Sequence, residues 1–278
     1  MLGPLTLAGL STVLLAACAV ATPAERNAEA DRIASRATLA PLLIETTVFD
    51  LHARLRAMGN VPRLTVYIEG DGFAWRRRNE PSTDPTPLDP VALRLAAADD
   101  ADAVAYLARP CQFTGGEKAR NCENALWTSA RYSEETLAAM DAAIGALKER
   151  AGASKIALVG YSGGGTVATL LAIRRDDIVW LKTVAAPLDT DAFTAHHNVS
   201  PLSDSLNPAD IAAALANLPQ IHYAGSADKV VPASINRDVV ARLDVGGCAM
   251  LQIVPGPTHD RGWAEIWPEL VRTTPACR

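Results

Sequence analysis

The sequence predicts an α/β fold in one large domain, with a mostly parallel sheet covered by helices on both faces. Three observations predict it. The chain has 278 residues and 49% of them are hydrophobic, which suffices for a sizeable core. Strand-like apolar runs alternate with helix-like segments along most of its length, and this order favours parallel strands joined by helices. Between residues 42 and 57 apolar and polar residues alternate instead, which predicts antiparallel strands at the N-terminal edge.

The first 17 residues predict a signal peptide and not a part of the fold. They are mostly apolar and carry no charged side chain. They run into Leu15-Ala16-Ala17-Cys18, which resembles the lipobox of bacterial lipoproteins. This resemblance implies that the Cys18 thiol is lipidated and becomes the mature N-terminus, anchored to a membrane of the cell envelope and facing the periplasm or the exterior. A single uncleaved membrane anchor is the alternative, and it too places the rest of the chain outside the cytoplasm.

Residues 18–40 are rich in alanine and in charged residues, which predicts a tether between the membrane and a single domain at residues 41–278. Within that domain, after the early antiparallel strands, further strands are predicted at residues 64–68, 103–108, 156–159, 178–184, 221–224 and 250–254.

Helix signals lie between these strands. Asp89 and Pro90 predict a helix start, with the aspartate as the cap and the proline at the first helical position. Ser133 caps a second helix, which ends near Gly152. Further helices are predicted at residues 166–173, from 207, near 233 and near 263, whereas residues 185–206 are predicted to be irregular.

Four cysteines remain besides Cys18, and an even number suits an oxidising compartment. Three pairings are possible. We favour Cys111 with Cys122, which closes a short loop, and Cys248 with Cys277, which tethers the C-terminal tail to a late strand. A metal site is the alternative, but these spacings lack the paired C-x-x-C of zinc sites.

The charge balance limits the function classes. Lysine and arginine number 26 against 31 acidic residues, so the net charge is -5 and a general role in binding nucleic acid has no electrostatic support. A small-molecule substrate or ligand is the better expectation.

The stretch at residues 156–165 carries the strongest functional signal. An apolar strand runs into Gly160-Tyr161-Ser162-Gly163-Gly164, and a helix-like segment follows. A serine at a sharp strand-to-helix turn needs very small neighbours, which Gly160 and Gly164 supply. The N–H of Gly163, at the start of the helix, is then a natural donor to a developing oxyanion. A glycine-rich turn with an incidental serine is the alternative.

A nucleophilic serine needs a base, and the base needs an acid to orient it. Among the five histidines His259 alone lies in a loop just after a late strand, so it is the predicted base. Asp228 is the predicted acid because it follows the strand at residues 221–224 and precedes a helix, although it also fits an ordinary turn aspartate. Asp189 and Asp191 are further candidates, and Asp260 is a weaker one.

Taken together, the glycine-flanked Ser162, Asp228 in a G-x-x-D-x-x-V-P segment and the late His259 resemble the α/β-hydrolase superfamily over essentially the whole chain after the tether. The resemblance implies a three-layer α/β-hydrolase-like fold and a serine hydrolase that needs no cofactor and cleaves carboxylic esters or thioesters. It also places a second oxyanion N–H, from Asp71 or Gly72, in the turn Glu69-Gly70-Asp71-Gly72, where glutamate stands in place of the usual histidine. A peptidase or amidase on the same triad, and a non-catalytic envelope lipoprotein that binds a ligand on this scaffold, stay open.

Other residues near the predicted site have two interpretations each. Arg76, Arg77 and Arg78 either bind an anionic group, on a substrate or on the membrane surface, or form a solvated loop. Phe73, Trp75 and Trp127 either line an acyl pocket or simply pack. His196 and His197 are either a metal pair or surface residues. Residues 190–215 are predicted to form a small cap, with the cysteine loop at 111–132 as the opposite wall.

Overall fold

The computed structural model describes residues 20–57, 59 and 61–278. The predicted signal peptide and Cys18 lie outside the described residues. Among the helices that are described, none combines the length and the apolar character needed to cross a membrane.

The described strands are β1 (Ala40–Glu45), β2 (Asp50–Ala57), β3 (Arg63–Ile68), β4 (Trp75–Arg77), β5 (Glu80–Pro81), β6 (Ala103–Leu107), β7 (Lys155–Tyr161), β8 (Ile178–Val184), β9 (Gln220–Gly225) and β10 (Ala249–Val254). The α-helices are α1 (Pro23–Arg36), α2 (Val91–Ala98), α3 (Glu134–Ala151), α4 (Gly163–Ala172), α5 (Thr190–His197), α6 (Pro208–Ile211), α7 (Ala233–Leu243) and α8 (Trp263–Leu270).

Eight of the strands form one sheet in the order β1-β2-β6-β3-β7-β8-β9-β10. β2 is antiparallel to both β1 and β6, and every other pairing in this sheet is parallel. The fold class predicted from the sequence, a mostly parallel sheet with antiparallel strands at the N-terminal edge, is therefore confirmed. β4 and β5 form a separate small hairpin.

Alternate residues of the central strands belong to two different hydrophobic layers, because successive side chains of a strand point to opposite faces. Ile156 and Leu158 of β7 pack in the layer that contains the apolar faces of α3, α4 and α7. Ala157 and Val159 pack in the other layer, with residues of α1, α2 and α8. Helices thus cover both faces of the sheet, which is why β7 is apolar from Ile156 to Val159.

The predicted tether is wrong for most of its length, because α1 is part of the domain. Thr22 and Glu25 form a reciprocal cap at its start. Ala30 and Ala34 are fully buried, and the Arg26 guanidinium donates to the carbonyl oxygens of Asp84, at 3.3 Å, and Thr86. The sequence does not indicate that α1 packs on the domain, because its buried face consists mainly of alanine. Such small residues pack closely without forming an obvious apolar stripe.

Two further predictions need correction. Part of the stretch predicted to be irregular forms α5, whose first turn is capped by the Asp189 carboxylate, which accepts from the N–H of Asp191 and of Ala192. α2 begins one residue later than predicted, and Asp89 does not cap it. The Asp89 carboxylate instead accepts a hydrogen bond from Arg94 Nε at 2.6 Å.

Both favoured disulfides are present, one between Cys111 and Cys122 and the other between Cys248 and Cys277. The second fixes the C-terminal tail beside the start of β10, where the N–H of Arg278 also donates to the carbonyl oxygen of Gly247 at 2.9 Å.

Candidate active site

Ser162 lies at the abrupt turn between β7 and α4. Its backbone has φ 49° and ψ −127°, a combination that residues with a side chain rarely adopt. The turn is so tight that a Cβ atom on Gly160 would lie 2.3 Å from the carbonyl oxygen of Gly164. A Cβ atom on Gly164 would lie 2.3 Å from the carbonyl oxygen of Ile68. Glycine is therefore required at positions 160 and 164, because the backbone approaches both of them closely.

His259 lies in the loop between β10 and α8, and its Nε2 is 3.0 Å from Ser162 Oγ. Two side chains hold the loop through the carbonyl oxygen of His259. The Tyr161 hydroxyl donates to it at 3.1 Å and Trp263 Nε1 donates to it at 3.2 Å. Tyr161 and Trp263 thus position the imidazole, a role that the sequence analysis did not find.

Asp228 follows β9 and completes a chain of hydrogen bonds. Its Oδ2 lies 2.9 Å from His259 Nδ1, while its Oδ1 accepts from the backbone N–H groups of Val230 and Val231, each at 2.8 Å. The Asp228 side chain is fully buried. A carboxylate held in this way favours a proton on His259 Nδ1, which leaves the Nε2 lone pair directed at the serine hydroxyl.

The competing acids and bases lie elsewhere. Asp189 caps α5, and Asp260 is exposed and accepts from the Thr258 hydroxyl. Asp191 occupies the first turn of α5. His222 is buried in the sheet between Thr183 and Gln220, where burial lowers its pKa to about 3. Of the candidates, the structure brings only Ser162, His259 and Asp228 together among the described residues.

The turn at residues 69–72 faces the start of α4. The N–H of Gly70 is taken by the Glu69 side chain, at 2.9 Å. The N–H groups of Asp71 and Gly72 make no hydrogen bond within the described part of the chain, and neither does that of Gly163. These are the three N–H groups predicted as oxyanion donors, and a Cβ atom on Gly70 would lie 3.2 Å from Ser162 Cβ, so the turn adjoins the serine.

The Asp71 carboxylate lies against Gly163, so close that a Cβ atom on Gly163 would be 2.0 Å from Asp71 Oδ1. It is bound by Arg131 at 2.6 Å and by Arg109 at 3.3 Å, and the Tyr132 hydroxyl donates to it at 3.4 Å. Burial alone would raise the pKa of Asp71, but the guanidinium groups of Arg131 and Arg109 outweigh it and hold that pKa below its usual value. Two cations therefore offset this carboxylate beside the serine.

Glu69, the other carboxyl group of the turn, is directed away into the protein. Its Oε1 accepts from the N–H of Gly70 and, at 3.3 Å, from the N–H of Ala92 in the first turn of α2. Burial raises the pKa of Glu69 to about 7. Glu69 thus caps α2 from the end of β3, a role that the sequence analysis assigned to Asp89.

A cavity of about 970 Å³ lies beside Arg131, the residue that binds the Asp71 carboxylate. It is enclosed by the β4–β5 hairpin, by residues 128–131, and by α5 with the loop that follows it. Trp75 lines it, whereas Trp127 is buried with its indole donating to the carbonyl oxygen of Ser82, and Phe73 lies under the Arg26 guanidinium. Of the three aromatic residues proposed for an acyl pocket, Trp75 alone therefore lines this cavity.

One of the two histidines proposed as a metal pair already has a protein partner. His197 lines the cavity, and its Nε2 lies 2.7 Å from the carbonyl oxygen of Val230, which occupies that nitrogen. No group of three or more potential ligands for a metal ion occurs among the described residues.

The sequence matches no protein-family model and no curated protein sequence. Solved structures do resemble this chain. Est1E from Butyrivibrio proteoclasticus aligns with a TM-score of 0.59 at 15% identity, covering 84% of this chain and 96% of that one. The esterase Pf2001 of Pyrococcus furiosus aligns with a TM-score of 0.60 at 16% identity, covering 86% and 92%. An alpha-beta serine hydrolase homologue from Coxiella burnetii aligns with a TM-score of 0.54 at 16% identity, covering 83% and 92%. The chain has the α/β-hydrolase fold.

Proposed function

We propose that this protein is a serine hydrolase that cleaves a carboxylic ester or thioester. The observation that carries the proposal is the unbroken chain of hydrogen bonds from Ser162 Oγ through both nitrogens of His259 to Asp228, with distances of 3.0 and 2.9 Å. A base within hydrogen-bond reach of a serine, itself oriented by a buried acid, is the arrangement that activates a hydroxyl. The fold it shares with Est1E and the esterase Pf2001 agrees with this activity, although fold alone does not assign one.

In the acylation step, Ser162 Oγ attacks the carbonyl carbon of the ester and its proton passes to His259 Nε2. The carbonyl oxygen becomes an oxyanion, which the N–H of Gly163 and that of Asp71 or Gly72 stabilise. The bond from carbon to the leaving oxygen then breaks, and His259 returns the proton to that oxygen. An alcohol leaves, and the acyl group stays on Ser162.

In the deacylation step, His259 Nε2 takes a proton from a water molecule, and the hydroxide attacks the acyl carbon. The bond to Ser162 Oγ breaks, the proton returns to Oγ, and a carboxylic acid leaves. Throughout, Asp228 keeps its hydrogen bond to His259 Nδ1 and stabilises the imidazolium that His259 becomes.

A covalent probe tests this proposal. The full-length protein in detergent is treated with a fluorophosphonate, and the labelled protein is quantified for wild type, Ser162→Ala and His259→Ala, with His196→Ala as the matched histidine control. Wild type and His196→Ala are expected to be labelled, Ser162→Ala not at all, and His259→Ala at least about 10²-fold more slowly. Equal labelling of wild type and Ser162→Ala would show that the reactive group lies elsewhere.

The same samples distinguish the classes of substrate. Turnover of 4-nitrophenyl butyrate that depends on Ser162 supports an esterase. Turnover of aminoacyl 4-nitroanilides at a comparable kcat/KM would instead favour an amidase or peptidase. Absence of both labelling and turnover would leave the non-catalytic binding lipoprotein as the better description.

We also propose that the enzyme acts at the cell envelope, held there by a lipid on Cys18. The support is the lipobox-like end of the apolar segment at residues 1–17 and the two disulfides of the domain, which suit an oxidising compartment. Growth of expressing bacteria on labelled palmitate is expected to label wild type but not Cys18→Ala. Label that persists in Cys18→Ala would contradict lipidation at this cysteine.

A further inference from the structure

The cavity beside the proposed active site is positively charged, although the protein as a whole carries a net charge of -5. Arg77, Arg78 and Arg131 line it. No aspartate or glutamate is among the lining residues that the structure describes. The positive charge is therefore concentrated locally and does not follow from the composition of the chain.

Two structural units supply this charge, and neither is fully neutralised. On the β4–β5 hairpin, three consecutive arginines stand against a single glutamate, Glu80, which lies 3.1 Å from Arg76 and 3.7 Å from Arg77. Arg78 is directed instead to the carbonyl oxygen of Asn198, at 3.5 Å. At the opposite wall, Arg131 shares the Asp71 carboxylate with Arg109, so two guanidinium groups face one acid.

The rest of the lining combines uncharged polar side chains with apolar and aromatic ones. Trp75 from the hairpin and Phe193 from α5 contribute rings, and Val199, Leu202 and Val230 contribute aliphatic groups. A ligand that fills this space therefore combines an apolar body with an anionic end, since each surface then meets its complement.

Two residues that line the cavity contact residues of the proposed reaction site, although Ser162 and His259 do not line it. Arg131 binds Asp71, whose carboxylate lies against Gly163, the residue after the serine. Val230 lines the cavity and donates its backbone N–H to Asp228. An acyl or alcohol group attached to a carbonyl at Ser162 therefore has the cavity as its neighbour.

We propose that the cavity is the specificity pocket for an ester whose acyl or alcohol part carries an apolar spacer with an anionic end, a carboxylate or a phosphate. Arg77 and Arg78 bind the anion and the aromatic and aliphatic side chains bind the spacer. This proposal rests on the proposed function, because it concerns the substrate of the same Ser162.

Matched pairs of esters test it with the full-length protein in detergent. For the acyl side, the 4-nitrophenyl half-ester of suberic acid is compared with its neutral methyl ester. For the alcohol side, 4-acetoxybenzoate is compared with methyl 4-acetoxybenzoate. The measured quantity is the ratio of kcat/KM for the anionic ester to that for the neutral one.

In at least one pair, wild type is expected to prefer the anionic ester by roughly 10-fold, since each partly exposed charge pair contributes a factor of about 3. The double variant Arg77→Gln/Arg78→Gln is expected to bring that ratio close to one, and 1 M salt to reduce it in wild type. Arg76→Gln is the matched control, because Arg76 belongs to the same arginine run and does not line the cavity. It is expected to keep the wild-type ratio.

Several results overturn the proposal. One is the absence of an anionic preference in both pairs. Another is a preference that the double variant retains, or that Arg76→Gln abolishes as well. If the double variant keeps the preference but no longer responds to phosphatidylglycerol added to the detergent, the arginines serve a membrane surface instead. Failure of the proposed function is distinguishable, because neither the neutral nor the anionic esters would then be hydrolysed by way of Ser162.

Discussion

At the scale of single residues, both carboxylate oxygens of Asp228 have fixed partners. One oxygen accepts from two backbone N–H groups of its own turn and the other faces His259. The turn therefore fixes the carboxylate, and the carboxylate fixes the tautomer and the orientation of the imidazole. The interpretation of Asp228 as an ordinary turn aspartate therefore agrees with its proposed role, since the turn holds the carboxylate in place beside His259.

Asp228→Asn is expected to lower kcat by about 10³-fold to 10⁴-fold with little change in KM, because the amide stabilises neither the required tautomer nor the imidazolium. Steady-state kinetics on 4-nitrophenyl butyrate measure both parameters. Asp189→Asn serves as the control, since Asp189 caps α5 away from the imidazole. An Asp228→Asn enzyme that keeps a tenth of the wild-type kcat would exclude Asp228 as the orienting acid.

Glu69 makes stability depend on pH with a definite sign. Burial raises its pKa to about 7 in the folded protein, from a usual value of 4.5. Between these values the unfolded chain releases a proton that the folded protein keeps, so the free energy of unfolding falls as pH rises through this window. The loss is nearly complete about one pH unit above 7 and amounts to about 3 kcal/mol.

Glu69→Gln is expected to remove this term, because glutamine does not ionise. Urea unfolding at pH 5 and at pH 8 measures it as the difference between wild type and the variant at each pH, which cancels the other titrating groups. Glu269→Gln, an exposed position on α8, should differ from wild type by the same amount at both pH values. A Glu69→Gln difference that is likewise constant with pH would show that Glu69 ionises normally.

At the scale of elements, α1 shows that residues 23–36 belong to the folded domain. Its buried face consists of small residues and of Arg26, which reaches the backbone of the segment between β5 and α2. Removal of this helix would expose residues of α2 and leave carbonyl groups without their donor.

Ala34→Glu is expected to destabilise the protein by about 3 kcal/mol or more, since it places a carboxylate in a closely packed apolar contact. Ala28→Glu, in the same helix but exposed, is expected to stay within about 0.5 kcal/mol of wild type. Denaturant unfolding of the two variants makes the comparison. Equal stability would restore the interpretation of this segment as a tether.

Which elements the sequence could predict depends on the range of the interactions that form them. β7 and β8 are mostly apolar because their central residues are buried, and Ser162, Asp228 and His259 follow strands whose carboxyl ends share one edge. Local pattern therefore sufficed for them. The ion pairs of Asp71 join residues 38 and 60 positions apart, and nothing in the local sequence of Arg109 or Arg131 indicates the partner. Helix α5 was not predicted for a related reason, since its few buried residues give no clear helical periodicity.

At the scale of the whole molecule, the two disulfides act on different regions. One closes the loop that precedes the cavity wall at residues 128–131, and the other attaches the last residues of the chain to β10 at the edge of the sheet. The edge strand has a neighbour on one side only, so the tail anchored there limits its separation from β9.

Cys248→Ser/Cys277→Ser is expected to lower the free energy of unfolding by about 3 to 4 kcal/mol, because the bond closes a loop with a sequence separation of 29. Urea unfolding without reductant measures the loss. In the presence of a reductant, the variant and the wild type should unfold at nearly the same urea concentration. A variant as stable as oxidised wild type would show that the tail contributes nothing to the sheet.

The backbone of Ser162 has one last consequence. A residue with a Cβ atom at φ 49° costs on the order of 1–3 kcal/mol, whereas glycine adopts this region freely. Ser162→Gly should thus be inactive, yet its free energy of unfolding should exceed that of Ser162→Ala by about 1 kcal/mol. The two variants differ by only one methyl group. Equal urea midpoints for the two would mean that the turn is relaxed. At this position, selection for a stable fold favours glycine, whereas selection for catalytic activity favours serine. In a descendant protein that no longer needs the activity, we therefore expect Ser162 to be replaced early.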